Sequence, residues 1–382
     1  MPLTGAPPPA GANGQGVAIL LPLSGPRADI GQTMVRAAQL ALDMPGAPSL
    51  DVKDTGGTPS GAAAAAQAAI AAGAGLILGP LTSPETASVA PVARAANVAM
   101  LAFTNDPSQA QPGVWTLGIT PAQQVRRLVA ASQGQGKSEF AGLLPDNDFG
   151  HAMGQALTQA TAASSLAPAN VRFYAPGMPA INAAARNLSD YANRRGPVDA
   201  QIREARALVT PEGRHQAQEL AKTVIPPPSF NTLLLADTGD ALAEIAAVLP
   251  YYDVERSAVH IIGPALWASP SSGSGQFRGA WYAAPDPAAR GGFAQAYSAK
   301  YGTDPAPLAD LAYDAASIAR VLGGRGFAIG ALTQPAGFVG VDGWFALLAD
   351  GQVRRALAVF AVERGGPQMV EPAPSSASVP GA

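Results

Sequence analysis

Residues 17–54 constrain this chain most. An apolar run, Val-Ala-Ile-Leu-Leu, ends in Pro22-Leu23-Ser24-Gly25, a helical run follows to about residue 43, and a second strand candidate spans 50–54. The unit then recurs. Strands are expected at 17–22, 50–54, 76–79, 98–103, 140–144, 171–174, 232–236 and 259–262. Helices are expected at 32–43, 62–72, 84–96, 121–132, 151–162, 240–249, 292–301 and 307–322. Strands that are apolar throughout and alternate with helices indicate α/β architecture, with parallel sheets covered on both faces. Ser83 is expected as N-cap of the third helix, with Pro84 at its first position and Glu85 in its first turn.

At 382 residues the chain exceeds one compact core and suits two lobes. Only 13% of residues are charged and the net charge is −3, which gives no electrostatic case for nucleic acid. Cysteine is absent, excluding disulfides and thiolate metal sites. No apolar run approaches the roughly 20 residues needed to span a bilayer. The Pro/Ala/Gly-rich leader 1–16 and the tail 367–382 are expected to be disordered, the leader resembling the tether of an exported or lipid-anchored protein.

The sequence offers little catalytic or metal chemistry. His151, His215 and His260 form no zinc pair, and His260 sits in an apolar strand. No G-x-S-x-G elbow occurs, and Gly136-Lys137-Ser138 follows a helix rather than a strand, the reverse of a phosphate loop. The loop 146–150 lacks the spaced ligands of a calcium site. Asp51 and Asp54 have no companion base. The expectation is a non-enzyme with no cofactor, metal or catalytic residue.

In open α/β sheets ligands gather beyond the carboxyl ends of strands. Those ends hold Ser24, Thr82, Ser83, Phe103, Thr104, Asn105, Phe149, Asp237, Thr238 and Trp267, taken together as the candidate ligand-binding set. Phe103 and Trp267 offer apolar walls, while Thr104, Asn105 and Asp237 offer orienting hydrogen bonds. Ser83 lies beside free helix N–H groups.

The segments LLPLSGPRADIGQ, DTGGTPSGAAAAAQ, GAGLILGPLTS, APVARAANVAMLAFTND and LLPDNDFG resemble the leucine/isoleucine/valine-binding-protein family. PYYDV, GPALW, WYAAPDP and LAYDAASIA are similar to a subgroup, the alphaproteobacterial penicillin-binding-protein activators. The resemblance covers about 16–364 and implies a two-lobed type I periplasmic-binding-protein fold with three hinge crossovers. It places lobe 1 at 17–118 plus 283–330, and lobe 2 at 119–282 plus 338–364, with a helical addition at 179–228. That addition carries seven of the 24 basic residues and reads as a mixed-charge solvated face or a partner-docking surface.

The implied function is stimulation of a peptidoglycan synthase in the periplasm, with a lipid anchor to the outer membrane as the implied attachment. The alternative is a solute-binding component of an ABC importer for branched-chain amino acids or related small molecules, with a permease as partner. The ligand would be amino-acid-like or a cell-wall fragment. In amino-acid-binding relatives the positions of Ser83 and Phe103–Asn105 hold an α-carboxylate. The acid that pairs with the ammonium follows a Gly-Pro pair, where this chain has Ala265; Asp237 or Asp240 is left as a substitute.

Overall fold

A computed structural model describes residues 14–374. Most of the expected leader and the end of the expected tail, 375–382, lie outside the described residues. In chain order the elements are β1 (Gly16–Leu21), α1 (Ala28–Ala41), β2 (Leu50–Asp54), α2 (Pro59–Ala71), β3 (Ala74–Leu78), α3 (Ser83–Ala95), β4 (Ala99–Ala102) and β5 (Val114–Thr116). There follow α4 (Pro121–Gly134), β6 (Phe140–Pro145), α5 (Asp148–Ala163), β7 (Asn170–Tyr174), α6 (Met178–Leu188), α7 (Tyr191–Ala207), α8 (Pro211–Ala221), β8 (Thr232–Leu235), α9 (Gly239–Val248), β9 (His260–Gly263) and β10 (Trp281–Ala284). The last are α10 (Gly291–Tyr301), α11 (Ala309–Leu322), α12 (Ile329–Leu332), β11 (Phe338–Gly340), β12 (Gly343–Leu347), β13 (Val353–Arg355), β14 (Ala358–Ala361) and β15 (Gln368–Glu371).

Two main sheets result. The first has the order β2-β1-β3-β4-β5, and its pairings are parallel. Its inner strands are buried on both faces, as in β1: Val17, Ile19 and Leu21 enter a core with α1 and α11, while Ala18 and Leu20 meet the alanines of α2 and α3. The second sheet has the order β15-β14-β10-β9-β8-β6-β7, parallel from β10 to β7 and antiparallel at β14 and β15. Its faces likewise bury separate cores, Leu233 and Leu235 on one side and Leu234 on the other.

The chain crosses between the lobes three times, after β5, after β10 and after β13. The first and third crossovers are laced by side chains that donate to carbonyls. Trp115 Nε1 reaches Leu348 O at 2.7 Å, Gln123 Nε2 reaches Val353 O at 2.6 Å, and Arg127 Nε reaches Leu357 O at 2.8 Å.

Three expectations need correction. The segment 338–364 is divided, because Phe338, Val341, Phe345, Leu347 and Val353 enter the first core whereas β14 joins the second sheet. The tail is ordered beyond 367: β15 pairs with β14, and Glu371 meets Arg127 at 2.9 Å. Thr82, rather than Ser83, caps α3. Its N–H and hydroxyl both donate to Glu85, at 3.1 and 2.7 Å, which requires the acid at the third helical position.

Gln123 also closes a capping box with Thr120 at the start of α4. Gln123→Ala leaves the Val353 carbonyl without its donor and should lower unfolding stability by about 1–3 kcal/mol, measured as a urea midpoint shift with unchanged slope.

Candidate functional site: the cleft between the lobes

The carboxyl ends of β3 and β4, the crossovers and the start of α11 enclose a cleft of about 760 Å³. Clefts of this size with mainly apolar walls and a few polar groups suit small organic ligands. Leu81, Phe103 and Ile119 form one apolar wall; Leu308 and Leu311 form another, and Ala265 and Ala268 face them from the second lobe. The turn after β3 brings Thr82 and Ser83 to the rim, and the turn after β4 brings Thr104 and Asn105. Ser83 Oγ and Thr104 Oγ1 share a hydrogen bond of 2.7 Å, and the Asp106 N–H donates to Thr104 Oγ1 at 3.1 Å. Burial pushes the Asp106 carboxyl up, but hydrogen bonds from Ser108, Gln109 and Ser83 outweigh it and hold it below its ordinary value.

Of the ten residues anticipated from sequence, Thr82, Ser83, Phe103, Thr104 and Asn105 line this cleft together. The other five sit elsewhere. Ser24 joins the polar loop in which Asp54 accepts from Leu23 and Gly56 N–H, so that carboxyl stays below its ordinary value. Phe149 packs on a second-lobe core. Asp237 accepts from the Tyr174 hydroxyl, and Thr238 stands at the N-cap position of α9 without a side-chain cap bond. Trp267 is buried, donates from Nε1 to Asp237 O at 2.9 Å and stacks with Phe277. Its ring fills the space beside Gly263, where a Cβ would lie 2.5 Å from it. The Ala265 N–H is likewise taken, donating to Gln124 Oε1 at 2.7 Å.

Four charged residues of the cleft were not anticipated: Asp286, Arg290, Asp310 and Asp342. They come from a helix start and from turns rather than from the ends of the expected strands. The available signal was the pair Asp310 and Asp314, one helical turn apart in the apolar run PLADLAYDAAS. Arg290 Nε donates to Asp310 Oδ2 at 2.6 Å. Behind them Arg355, fully buried, lies 3.9 Å from Asp314 and 3.8 Å from Asp342 and donates to Leu117 O at 3.2 Å.

Desolvation is the main cause that raises all three carboxyls, Asp310 to about 6 and Asp314 to about 7, with Asp342 raised in the same direction. Elsewhere, burial lowers His260 to about 4, so its imidazole stays neutral against the Trp281 ring. Among the described residues no cluster of three or more His, Asp or Glu has the arrangement to hold a metal ion.

A periplasmic binding protein family model matches residues 15–367. The chain belongs to the periplasmic binding protein family. Among solved structures of this fold, a provisionally named branched-chain amino acid ABC transporter protein from Rhodospirillum rubrum is 20% identical with a TM-score of 0.70, covering 93% of this chain and 99% of that one. The C-domain of LpoA from Haemophilus influenzae, described as a regulator of PBP1A, is 18% identical with a TM-score of 0.62 over 93% and 99%. A substrate-binding protein of Desulfitobacterium hafniense, solved with Leu, is 15% identical with a TM-score of 0.60 over 93% and 99%. These likenesses establish the two-lobed fold. An uncharacterized protein of Rickettsia prowazekii is 25% identical over 178 residues, a match that spans 46% of this chain and 48%, about half, of that relative's length.

A carboxyl raised in the folded chain binds its proton there more tightly than in the unfolded chain. That stability is fully present below about pH 4 and lost as pH rises through about 6 and 7. The melting temperature should therefore carry a component that falls between about pH 4 and 7. Asp314→Asn, which keeps an acceptor for the Val341 N–H, should flatten that component; an unchanged slope would assign the pH dependence to other groups.

Proposed function

We propose that this protein is a non-catalytic periplasmic protein that docks onto a peptidoglycan synthase and stimulates it, as penicillin-binding-protein activators do. The supporting observation is the α7–α8 hairpin of the second lobe. It packs chiefly on itself, with Ile202, Ala205 and Ala217 forming a small core of their own. Its base is tied down by Arg194, which donates to Pro226 O at 2.8 Å, Ser189 O at 2.9 Å and Tyr252 O at 3.1 Å. Its tip carries Leu208 and Val209, 59% and 84% exposed.

Val209 has a φ of 51°, a left-handed backbone that a β-branched residue adopts only at a cost of about 1–3 kcal/mol. An exposed apolar pair held outward on a strained turn suits a partner's pocket better than it suits water. The segment 179–228 carries seven basic against five acidic residues, while the chain as a whole is net negative. The LpoA C-domain, which shares the fold, is named as a regulator of PBP1A and supplies the kind of partner. Location in the periplasm follows the family. No helix among the described residues is long and apolar enough to cross a membrane, and this reading takes a lipid anchor as the form of attachment.

A second reading, a solute-binding component of an ABC importer, is favoured by one observation, the open cleft with Ser83 and Thr104 on its rim. A melting temperature that climbs with leucine or valine concentration would support it through mass action on the folded state.

For docking, the test is capture of a bifunctional peptidoglycan synthase by the full chain and by the double variant Leu208→Asp, Val209→Asp. Both side chains are exposed, so the melting temperature should hold. Capture and stimulation should both fall at least about tenfold, the loss expected for two hot-spot contacts of 1 kcal/mol or more. Equal capture by the variant would remove the hairpin from the interface.

A further inference from the structure

The cleft wall formed by the start of α11 and the turn between β11 and β12 is not balanced in charge. Asp310 and Asp314 on α11 and Asp342 on the turn face two cations, Arg290 from the segment after β10 and Arg355 on β13. Three acids against two bases leave one negative charge uncompensated in a region largely closed to water. Asp286, also on the segment after β10, adds another acid to the lining.

Asp310 is 4% exposed. One of its oxygens is held by Arg290, while Oδ1 is buried with no hydrogen-bond partner. Asp342 is 8% exposed and lines the same cleft wall as Asp310. Carboxylates that share one cleft wall repel unless a proton or a cation offsets them, and a buried, unpaired carboxylate oxygen is costly.

A metal ion does not suit the gap, since no metal-holding cluster exists among the described residues. An anionic group at the opposite rim is opposed by Asp106, which stays ionised beside Ser83. The second lobe offers Ala265 and Ala268 and no charge of its own.

We propose that the cleft takes an organic cation, a primary amine or guanidine on an apolar body, whose charged head seats on Asp310 and Asp342 while its body lies on Leu81, Phe103, Ile119 and Leu311. The site is distinct from the hairpin surface, so its existence does not depend on synthase docking. Hydrogen bonds from an ammonium to carboxylates in a water-poor cleft are the strong, charge-assisted kind. The raised affinity of Asp310 and Asp342 for protons fits the same picture, because an empty pair retains a proton that an arriving cation expels. Binding of the amine should therefore tighten as pH rises from 5 to 7.5 and release a proton.

Titration calorimetry of the full chain tests this with 3-methylbutylamine and L-leucinamide against 4-methylpentanoate, and with potassium chloride as an inorganic control. The amines should bind at least about tenfold more tightly than the carboxylate, with heats that depend on the buffer's ionisation enthalpy. Asp342→Asn should weaken amine binding at least about tenfold, whereas Ser83→Ala should change it less than about threefold. Should Asp342→Asn fail to fold, Asp310→Asn serves as the second variant, and the wild-type comparison of amine with acid decides alone. Preference for the carboxylate, displacement of the amine by potassium at equal concentration, amine affinity untouched in both Asp variants, or no heat with any probe would each overturn the proposal.

Discussion

The architecture rests on how the first and third crossovers are joined. Three crossing strands alone would let two lobes move freely. Here Trp115, Gln123, Arg127 and Arg355 each donate across the seam to a backbone carbonyl, at Leu348, Val353, Leu357 and Leu117 respectively. Burying a carbonyl without a donor is expensive, and these side chains supply one from across the seam, adding at Leu348 to the Gly351 N–H. The lacing therefore fixes where the third crossover runs. It also explains why β14 and β15 return to complete the second sheet after β11–β13 have packed on the first core.

Arg355 has a second consequence. Its guanidinium is fully buried, leans on the Phe345 ring at 5.0 Å from the centroid, and leaves Nε and one terminal nitrogen without hydrogen-bond partners. A cation so placed needs nearby anions, and Asp314 and Asp342 meet that need at just under 4 Å. These distances are too long for strong hydrogen bonds, so the compensation is mainly Coulombic and leaves the carboxyls incompletely satisfied. The charge that stabilises the seam is thus the same charge that reaches the cleft through Asp342 and Asp310.

Much of the fold was legible because its central strands are buried on both faces, which writes them as short unbroken apolar runs such as 17–21 and 233–235. Helix starts were legible where a proline follows a hydroxyl residue. The N-cap at α3 slipped by one because Ser83 and Thr82 both fit that pattern, and only the reach of Glu85 decides between them. β15 was missed because its exposure leaves no apolar signature, and antiparallel pairing with β14 supplies its order. At the site, the rim residues of β3 and β4 followed from topology. Trp267 misled because an aromatic beside a strand end serves equally well as a wall or as a core plug, and here it fills the space beside Gly263. Arg290, Asp310 and Asp342 are separated by up to 52 residues in sequence, and only the crossover geometry brings them together.

The placement of charge also bears on how such a cleft would close. All the ionisable groups of the lining belong to the crossover after β10, to α11 and to the β11–β12 turn; the second lobe proper presents the methyl groups of Ala265 and Ala268. A charged ligand head would then be held from one side only, and closure of the second lobe could gain little from it. What closure gains is burial of apolar ligand surface, at about 25 cal/mol per Å² removed from water. A body of modest size, covering some 100 Å² of the second lobe's wall, would bias the lobes by roughly 2–3 kcal/mol, enough for an equilibrium shift of about two orders of magnitude. Affinity for the head and the drive to close are therefore separable in this cleft: the first resides in the carboxylates at the seam, and the second in how much hydrocarbon the ligand brings.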